Sequence, residues 1–326
     1  MHSPELHIFT RTDLAQVDMV PTEVVEAVRA GYLALDADES RCPAKLMMPL
    51  PVAERDAVSY SMLGYDAPTQ QLGFKTSYRQ GSDNREHYFT ALSLYDDVTG
   101  MPFALLDGDT VGAMRTPATT ALIAEACAVP EARSVLMIGT GVQGLNTLPY
   151  LASTLPELER FRLFGTHPTG LADSVARFTA HHPQHEVEIV DDVEAAARES
   201  DIVVAASGRA AHPKVETTWL RPGGLLISVA SKGVSSSALA DADYALATSE
   251  GQLGVTGSRF NTGDGRARID TELPPVLAGR VPARRTAQDR VFAFSSGMVI
   301  TDIPVGHALA TRAVEAGLGR KVALWS

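Results

Sequence analysis

The sequence predicts an α/β protein in which a doubly wound domain with a parallel sheet is inserted into an α+β domain. Three observations support this. An apolar segment at residues 134–138 leads directly into a glycine-rich turn and a helical segment. After that turn, apolar segments alternate with amphipathic ones, as in parallel sheets flanked by helices. Before residue 129 the pattern differs, and 326 residues exceed what one hydrophobic core usually fills.

The segment before residue 129 combines one amphipathic helix with several strands. Helical spacing of apolar residues covers residues 24–35. Strand-like segments occupy residues 58–62, 73–78, 90–95 and 102–106, with a hairpin turn at residues 97–100. An alanine-rich helix at residues 306–317 is expected to return to this unit. We therefore assign residues 1–128 and 300–326 to one domain and residues 129–299 to the inserted one.

A helix is predicted to begin at Thr116 and Pro117, because threonine is a good N-cap and proline a good first helical residue. Arg115 would then lie just before the positive end of that helix, where an anion is favoured. Lys75 lies on a predicted strand among apolar and small residues, so its ammonium group must reach solvent or a partner. Each cation taken alone is more often a solvated surface charge.

The glycine-rich turn has the spacing of a dinucleotide-binding motif. It has the sequence G-T-G-V-Q-G between a strand and a helix, which is the context that the motif requires. Gly139 permits the tight turn, Gly141 lets backbone amides approach a pyrophosphate, and Gly144 lets the helix pack closely on its strand. The candidate cofactor-binding residues of the turn are Gly139, Thr140, Gly141, Val142, Gln143 and Gly144.

Further strands and helices extend this domain into a Rossmann-type fold. Strands are predicted at residues 162–165, 187–190, 201–206 and 224–229, and helices at residues 171–179 and 193–198. The core of the domain spans about residues 129–250. Residues 251–290 are rich in Gly, Arg and Thr, with one helix near residues 273–278, and are expected to leave the sheet.

Composition excludes several classes of partner. The chain is 45% hydrophobic and 21% charged, as in globular proteins, and its net charge of −11 argues against nucleic acid or an anionic membrane surface. Cys42 and Cys127 form neither a disulfide framework nor a metal-ligand set, so no metal is expected. No signal segment and no apolar run of about 20 residues is present. We expect a cytoplasmic protein.

Several separated motifs, taken in order, resemble the ornithine cyclodeaminase/mu-crystallin family. They are G-F-K at residues 73–75, L-Y-D-D-V-T-G-M-P at 94–102, R-T-P-A at 115–118, the glycine turn, E-L at 272–273, L-A-G-R at 277–280, and S-G-M-V-I-T-D at 296–302. The resemblance covers nearly the whole chain. It implies a homodimer in which a substrate-binding and dimerisation domain carries the inserted Rossmann domain.

The resemblance also implies roles for individual residues. Lys75 and Arg115 would hold a substrate carboxylate, and Lys45 lies near a position where the family often has an arginine for the same task. Asn84 and Thr116 match positions that line the cofactor and substrate cleft.

The chain departs from the family where ornithine-deaminating members have a catalytic acid, after the fifth strand. Residues 228–239 contain no carboxylate. Cyclodeamination needs a group that accepts a proton during amine oxidation, whereas reduction of a preformed imine demands less, and a water or Lys232 could donate the proton. Asp302 matches a family position near the cleft and joins Lys75 and Arg115 as a catalytic candidate. A helix cap is the alternative role for Asp302.

The end of the second strand of the Rossmann-type domain indicates the cofactor. An acidic residue there favours NAD, and residues 164–167, F-G-T-H, contain none. Thr166 and His167 would face a 2′-phosphate, so NADP is expected, with NAD as the alternative. We predict an NAD(P)H-dependent oxidoreductase for an α-imino or α-amino acid, most plausibly an imine (ketimine) reductase or amino acid dehydrogenase. The alternatives are cyclodeamination, siderophore-type amino acid coupling, and a non-catalytic crystallin-like NADP-binding protein.

Overall fold

A computed structural model describes residues 5–81, 87–208, 213–229, 231–261, 265 and 267–325. The chain forms two compact units, Met1–Arg115 together with Met298–Ser326, and Thr116–Gly297. The units therefore meet after residues 115 and 297, before the domain boundaries that the sequence predicted after residues 128 and 299. The first division falls inside a continuous helix, so no turn or linker in the sequence marks it.

The first part of the chain has one short strand and two helices, followed by a run of five strands and a long helix. Its elements are β1 (Leu6–Phe9), α1 (Arg11–Leu14), α2 (Pro21–Asp36), β2 (Leu46–Pro49), β3 (Val58–Asp66), β4 (Gln71–Arg79), β5 (Tyr88–Asp96), β6 (Met101–Asp107) and α3 (Gly108–Cys127). The predicted helix and four strands are confirmed here, and each is longer than its sequence pattern indicated.

The middle of the chain alternates strands with helices. Its elements are β7 (Ser134–Ile138), α4 (Val142–Thr154), β8 (Arg160–Phe164), α5 (Pro168–His181), β9 (Val187–Ile189), α6 (Val193–Arg198), β10 (Ile202–Ala205), β11 (Leu225–Ser228), β12 (Tyr244–Ala247), α7 (Glu250–Thr256), β13 (Thr271–Glu272), α8 (Leu273–Leu277) and β14 (Val291–Phe294). The chain ends with α9 (Val299–Glu315) and β15 (Arg320–Val322).

The first unit is a mixed sheet with helices against one face. Within the described residues its strand order is β15-β1-β6-β5-β4-β3-β2, with β1 and β6 parallel and the other pairs antiparallel. Helix α9 packs against α2 and against β3, β4 and β5. The C-terminal helix therefore returns to this unit, as the sequence predicted.

Helix α3 corrects one prediction. It begins at Gly108, and the Asp107 carboxylate accepts hydrogen bonds from the Thr110 backbone N–H at 3.1 Å and from its hydroxyl at 2.6 Å. Pro117 lies inside the helix, where its missing N–H removes one backbone hydrogen bond. The predicted start at Thr116 is wrong because Asp107 supplies the earlier cap. Arg115 consequently projects from the middle of a helix.

The second unit is an all-parallel, doubly wound sheet. Within the described residues the order is β13-β12-β14-β11-β10-β7-β8-β9. The sequence missed β12 and β14, two strands of four residues each whose residues are all buried. Contrary to the sequence prediction, residues 251–290 do not leave the sheet entirely, because β13 pairs with β12 at the edge before the chain returns as β14 between β11 and β12. In the part of the chain that is described, no helix combines the length and the apolar character needed to span a bilayer.

Candidate functional site

Two buried cations share one buried carboxylate in the first unit. Lys75 Nζ lies 2.6 Å from Asp302 Oδ1, and Arg115 Nε lies 3.0 Å from the same oxygen. The side chain of Asp302 is fully buried, that of Lys75 is 6% exposed and that of Arg115 is 13% exposed. Strand β4 and helices α3 and α9 each contribute one of these residues, which we call the charge cluster.

Local structure explains why these three side chains meet. Lys75 lies on the buried face of β4, where alternate residues point toward the helices. Helix α3 passes close to this side chain, since a Cβ at Gly112 would make an ordinary van der Waals contact with Lys75 Nζ at 3.9 Å. Asp302 lies in the first turn of α9, where a carboxylate interacts favourably with the helix dipole.

The alternative role of Asp302 as a helix cap is wrong. Helix α9 has Met298 as its N-cap residue, and Asp302 is already a helical residue. Its carboxylate is used by Lys75 and Arg115 instead. The sequence carried no signal for this pairing, because Lys75 and Asp302 are 227 positions apart.

The charges within the cluster shift its pKa values. Burial alone would raise the pKa of Asp302, but Arg115 and Lys75 outweigh burial and hold that pKa below its usual value. Burial lowers the pKa of Lys75, and the attraction of Asp302 only partly opposes this effect. The cluster therefore combines an ionised carboxylate with an ammonium group that releases its proton more readily than an exposed lysine.

Lys45 adds a third positive charge near the cluster. Burial lowers the pKa of Lys45 to about 8, with a further contribution from Arg115 and an opposing one from Asp302. Three basic groups, Lys45, Lys75 and Arg115, thus interact electrostatically with Asp302, and the Asp109 carboxylate also attracts Lys75. An excess of buried positive charge is stabilised by an anion, so this arrangement suits a carboxylate ligand.

The guanidinium group of Arg115 has donors left for such a ligand. Only its Nε contacts Asp302, and the two terminal nitrogens make no hydrogen bond to any residue that the structure describes. The terminal nitrogens form the planar pair of donors that matches a carboxylate.

The glycine turn in the second unit fits a dinucleotide. Gly139 has a φ of +109°, and a Cβ there would stand 2.9 Å from the Ser207 backbone nitrogen. A Cβ at Gly144 would stand 1.8 Å from the Gly139 carbonyl oxygen. A Cβ at Gly141 would meet no described atom within 4 Å. Packing therefore accounts for two of the glycines, whereas Gly141 leaves open space at the N-terminus of α4, the kind of place where dinucleotide-binding domains hold a pyrophosphate.

The other residues predicted to contact the cofactor, and the candidate proton donor Lys232, lie on different elements of the fold. Thr166 and His167 are exposed between β8 and α5, and His167 is the N-cap residue of α5. Thr116 is buried inside α3, and its carbonyl accepts a hydrogen bond from the Thr120 hydroxyl at 3.0 Å. Lys232 is exposed in a single 3₁₀ turn after β11. Asn84 lies outside the described residues.

Comparisons with known proteins agree with this architecture. The chain is 26% identical over 274 residues to the nodulation efficiency protein NfeD of Rhizobium meliloti, covering 81% of this chain and 82% of that protein. It is 32% identical over 160 residues to a Delta(1)-pyrroline-2-carboxylate/Delta(1)-piperideine-2-carboxylate reductase of Azospirillum brasilense, covering 49% and 46%.

A solved structure shows the same fold along the whole chain. The Delta(1)-pyrroline-2-carboxylate reductase of Thermococcus litoralis, in complex with NADH and L-proline, superposes with a TM-score of 0.83 at 21% identity over 97% of this chain and 100% of that one. The family model of the ornithine cyclodeaminase/mu-crystallin family matches residues 13–317. The resemblance seen in the separated motifs is thereby confirmed, and the chain belongs to the ornithine cyclodeaminase/mu-crystallin family.

Proposed function

We propose that the protein is an NAD(P)H-dependent oxidoreductase that reduces an α-imino acid or oxidises the corresponding α-amino acid. The charge cluster is the observation that supports this most directly, since its excess positive charge suits the carboxylate that such substrates share. The glycine turn would hold the pyrophosphate of the cofactor, which supplies or accepts a hydride when bound. The sequence similarity to Delta(1)-pyrroline-2-carboxylate reductases favours cyclic imino acids as substrates.

The residues of the charge cluster and Lys45 would have different roles in substrate binding and proton transfer. The terminal nitrogens of Arg115, with the ammonium group of Lys45, would bind the substrate carboxylate. Lys75 Nζ would pass a proton to the substrate nitrogen, because burial has lowered the pKa of this lysine. Asp302 would position Lys75 and Arg115 through the oxygen that both contact. Asn84 and Thr116 remain predicted contributors to the cofactor and substrate cleft.

An assay of the purified protein tests this function. NADPH and NADH would be offered with Delta(1)-pyrroline-2-carboxylate, Delta(1)-piperideine-2-carboxylate and linear imino acids, and L-ornithine would be offered with the oxidised cofactors. We expect cyclic imino acids to consume reduced cofactor and L-ornithine to release no ammonia, since residues 228–239 contain no carboxylate. Ammonia release would instead indicate a cyclodeaminase. Cofactor binding without turnover of any substrate would indicate a binding protein.

The affinity for a carboxylate is expected to fall as the pH rises through about 8, the pKa of Lys45. Below this value the lysine is charged and attracts the carboxylate, and above it the attraction is lost. Lys45→Arg should move the decline to higher pH, because a guanidinium group stays protonated. The measurement is the dissociation constant of pyrrole-2-carboxylate, whose ring nitrogen does not titrate in this range. Lys321→Arg, at an exposed lysine, is the control, and an unchanged profile in Lys45→Arg would exclude Lys45 from carboxylate binding.

The outer face of the first sheet supports a homodimer. The outward residues of β3, β4 and β5 are uncharged, and several are large and apolar. They are Ser59, Ser61, Leu63, Tyr65, Leu72, Phe74, Thr76, Tyr78, Phe89, Ala91, Ser93 and Tyr95. Phe74 and Tyr95 contact each other edge to face, with their ring centroids 5.8 Å apart. Three adjacent strands without an outward charge are unusual for a solvent-exposed surface. We infer that a second copy of the chain covers this outer face.

Phe74→Asp is expected to convert the dimer into a monomer, because it would place a charge at the centre of the outer face. Light scattering coupled to size-exclusion chromatography measures the mass of each variant. Val98→Asp is the matched control, since Val98 is 69% exposed but lies in the turn between β5 and β6. A monomeric wild type, or a Phe74→Asp variant that remains dimeric, would contradict this interface.

We further propose a cytoplasmic location, where Cys42 and Cys127 would stay reduced.

A further inference from the structure

The side chain of Thr140 fills the space between the end of β8 and the first turn of α5. A Cβ at Gly165 would stand 2.6 Å from Thr140 Cγ2 and 3.2 Å from its Oγ1. A Cβ at Gly170 would stand 2.5 Å from Thr140 Oγ1 and 3.0 Å from its Cβ. Neither position can therefore carry a side chain unless Thr140 moves.

Position 165 matters because it immediately follows β8. In dinucleotide-binding domains an acidic residue near this strand end accepts a hydrogen bond from the ribose 2′-hydroxyl of NAD and repels the 2′-phosphate of NADP. Here Gly165 occupies the position directly after the strand, and its lack of a side chain is a packing requirement imposed by the glycine turn.

The surroundings of Gly165 are suited to a phosphate. Thr166 and His167 are exposed, and no side chain in the described chain caps the N-terminus of α5. Pro168 has no N–H, so the donors at the start of α5 are the N–H groups of Thr169 and Gly170, which make no hydrogen bond to a described residue, and such groups favour an anion.

We propose that Thr140 is the residue that determines cofactor preference, by excluding any side chain from position 165 and so leaving the end of β8 free for the 2′-phosphate of NADP(H). The inference rests on the proposed function in requiring that the glycine turn bind a dinucleotide. It adds a specific residue and a specific cofactor to that function. Gly165→Asp would introduce both a negative charge and a steric overlap with Thr140.

Removal of the overlap separates these two effects. Thr140→Ala eliminates Cγ2 and Oγ1, which leaves Leu171 Cδ2, at 3.2 Å, as the one remaining close neighbour among those found for a Cβ at position 165. We expect the wild type to bind NADPH about tenfold or more tightly than NADH, and Thr140→Ala with Gly165→Asp to reverse that preference. Gly165→Asp alone should weaken the binding of both cofactors, since displacement of Thr140 distorts the turn. Gly254→Asp, at a glycine of α7 with open space around it, controls for the added charge.

Thermal unfolding of the cofactor-free protein provides a second measurement. Gly165→Ala alone should lower the Tm, and its combination with Thr140→Ala should lower it by less than the sum of the two single effects, because the residues are in contact. Additive Tm changes, a reversed cofactor preference in Gly165→Asp alone, or a wild type that prefers NADH would overturn the proposal. A wild type that binds neither cofactor would instead refute the proposed function.

Discussion

Gly141→Val is expected to abolish dinucleotide binding while leaving the fold intact. The valine side chain would enter the open space before α4, where the pyrophosphate would have to lie. A Cβ at position 141 meets no described atom within 4 Å, so the cofactor-free protein should tolerate the change. We expect the dissociation constant of NADPH to rise by about 100-fold or more, equivalent to roughly 3 kcal/mol. Calorimetric titration measures the affinity, and thermal unfolding reports the fold.

Substitutions at two other glycines of the second unit serve as controls for Gly141→Val. Gly254→Val adds the same atoms at another open glycine, in α7, and should leave cofactor affinity unchanged. Gly144→Ala should instead destabilise the unit, because its Cβ would overlap the Gly139 carbonyl oxygen. Equal NADPH affinity in the wild type and Gly141→Val would mean that the glycine turn does not bind the pyrophosphate.

Arg115→Ala is expected to lower kcat/KM for an imino acid by roughly 10-fold to 1,000-fold, since charge-assisted hydrogen bonds to a substrate are worth about 1.5–3 kcal/mol or more. Cofactor affinity should change little, because the proposed pyrophosphate site is the glycine turn and does not include Arg115. Arg115→Lys should also perform poorly. One ammonium group cannot both replace the Nε contact with Asp302 and offer two parallel donors to a carboxylate.

Lys75→Ala is expected to cause a loss of similar size, with a further cost in stability. It would leave the fully buried carboxylate of Asp302 with Arg115 as its remaining cluster partner, and breaking a buried ion pair costs about 3–5 kcal/mol. The double variant should lose less activity than the sum of the single losses, because Lys75 and Arg115 are coupled through the Asp302 oxygen that both contact.

Steady-state kinetics with a stability measurement on each variant test the charge cluster. Arg198→Ala is the control, since Arg198 pairs with Glu194 on an exposed helix of the second unit. If Arg115→Ala and Lys75→Ala both reduce imino acids at the wild-type rate, the cluster does not bind the substrate. The crystallin-like binding protein then becomes the better hypothesis.

The dinucleotide-binding turn could be predicted because its determinants are local. Strand β7, the glycine turn and helix α4 are continuous in sequence, and each glycine acts within a few residues of its position. The fully buried strands β12 and β14 were missed for the opposite reason. Four apolar residues have no periodicity of their own, and only their neighbours in the sheet make them strands.

The sequence by itself determined strands β7 to β11 of the parallel sheet, the helices α4, α5 and α6 between them and the presence of Lys75 and Arg115 as candidate cations. Their motifs and periodicities are local, so the residue types alone suffice. The start of α3 at Gly108 is set locally by Asp107 and Thr110, whereas tertiary structure decided the burial of both cations and their shared contact with Asp302. It also decided that Thr140 fills the space beside Gly165. These features depend on contacts between residues far apart in the chain, and the spacing of residue types carries no record of such contacts.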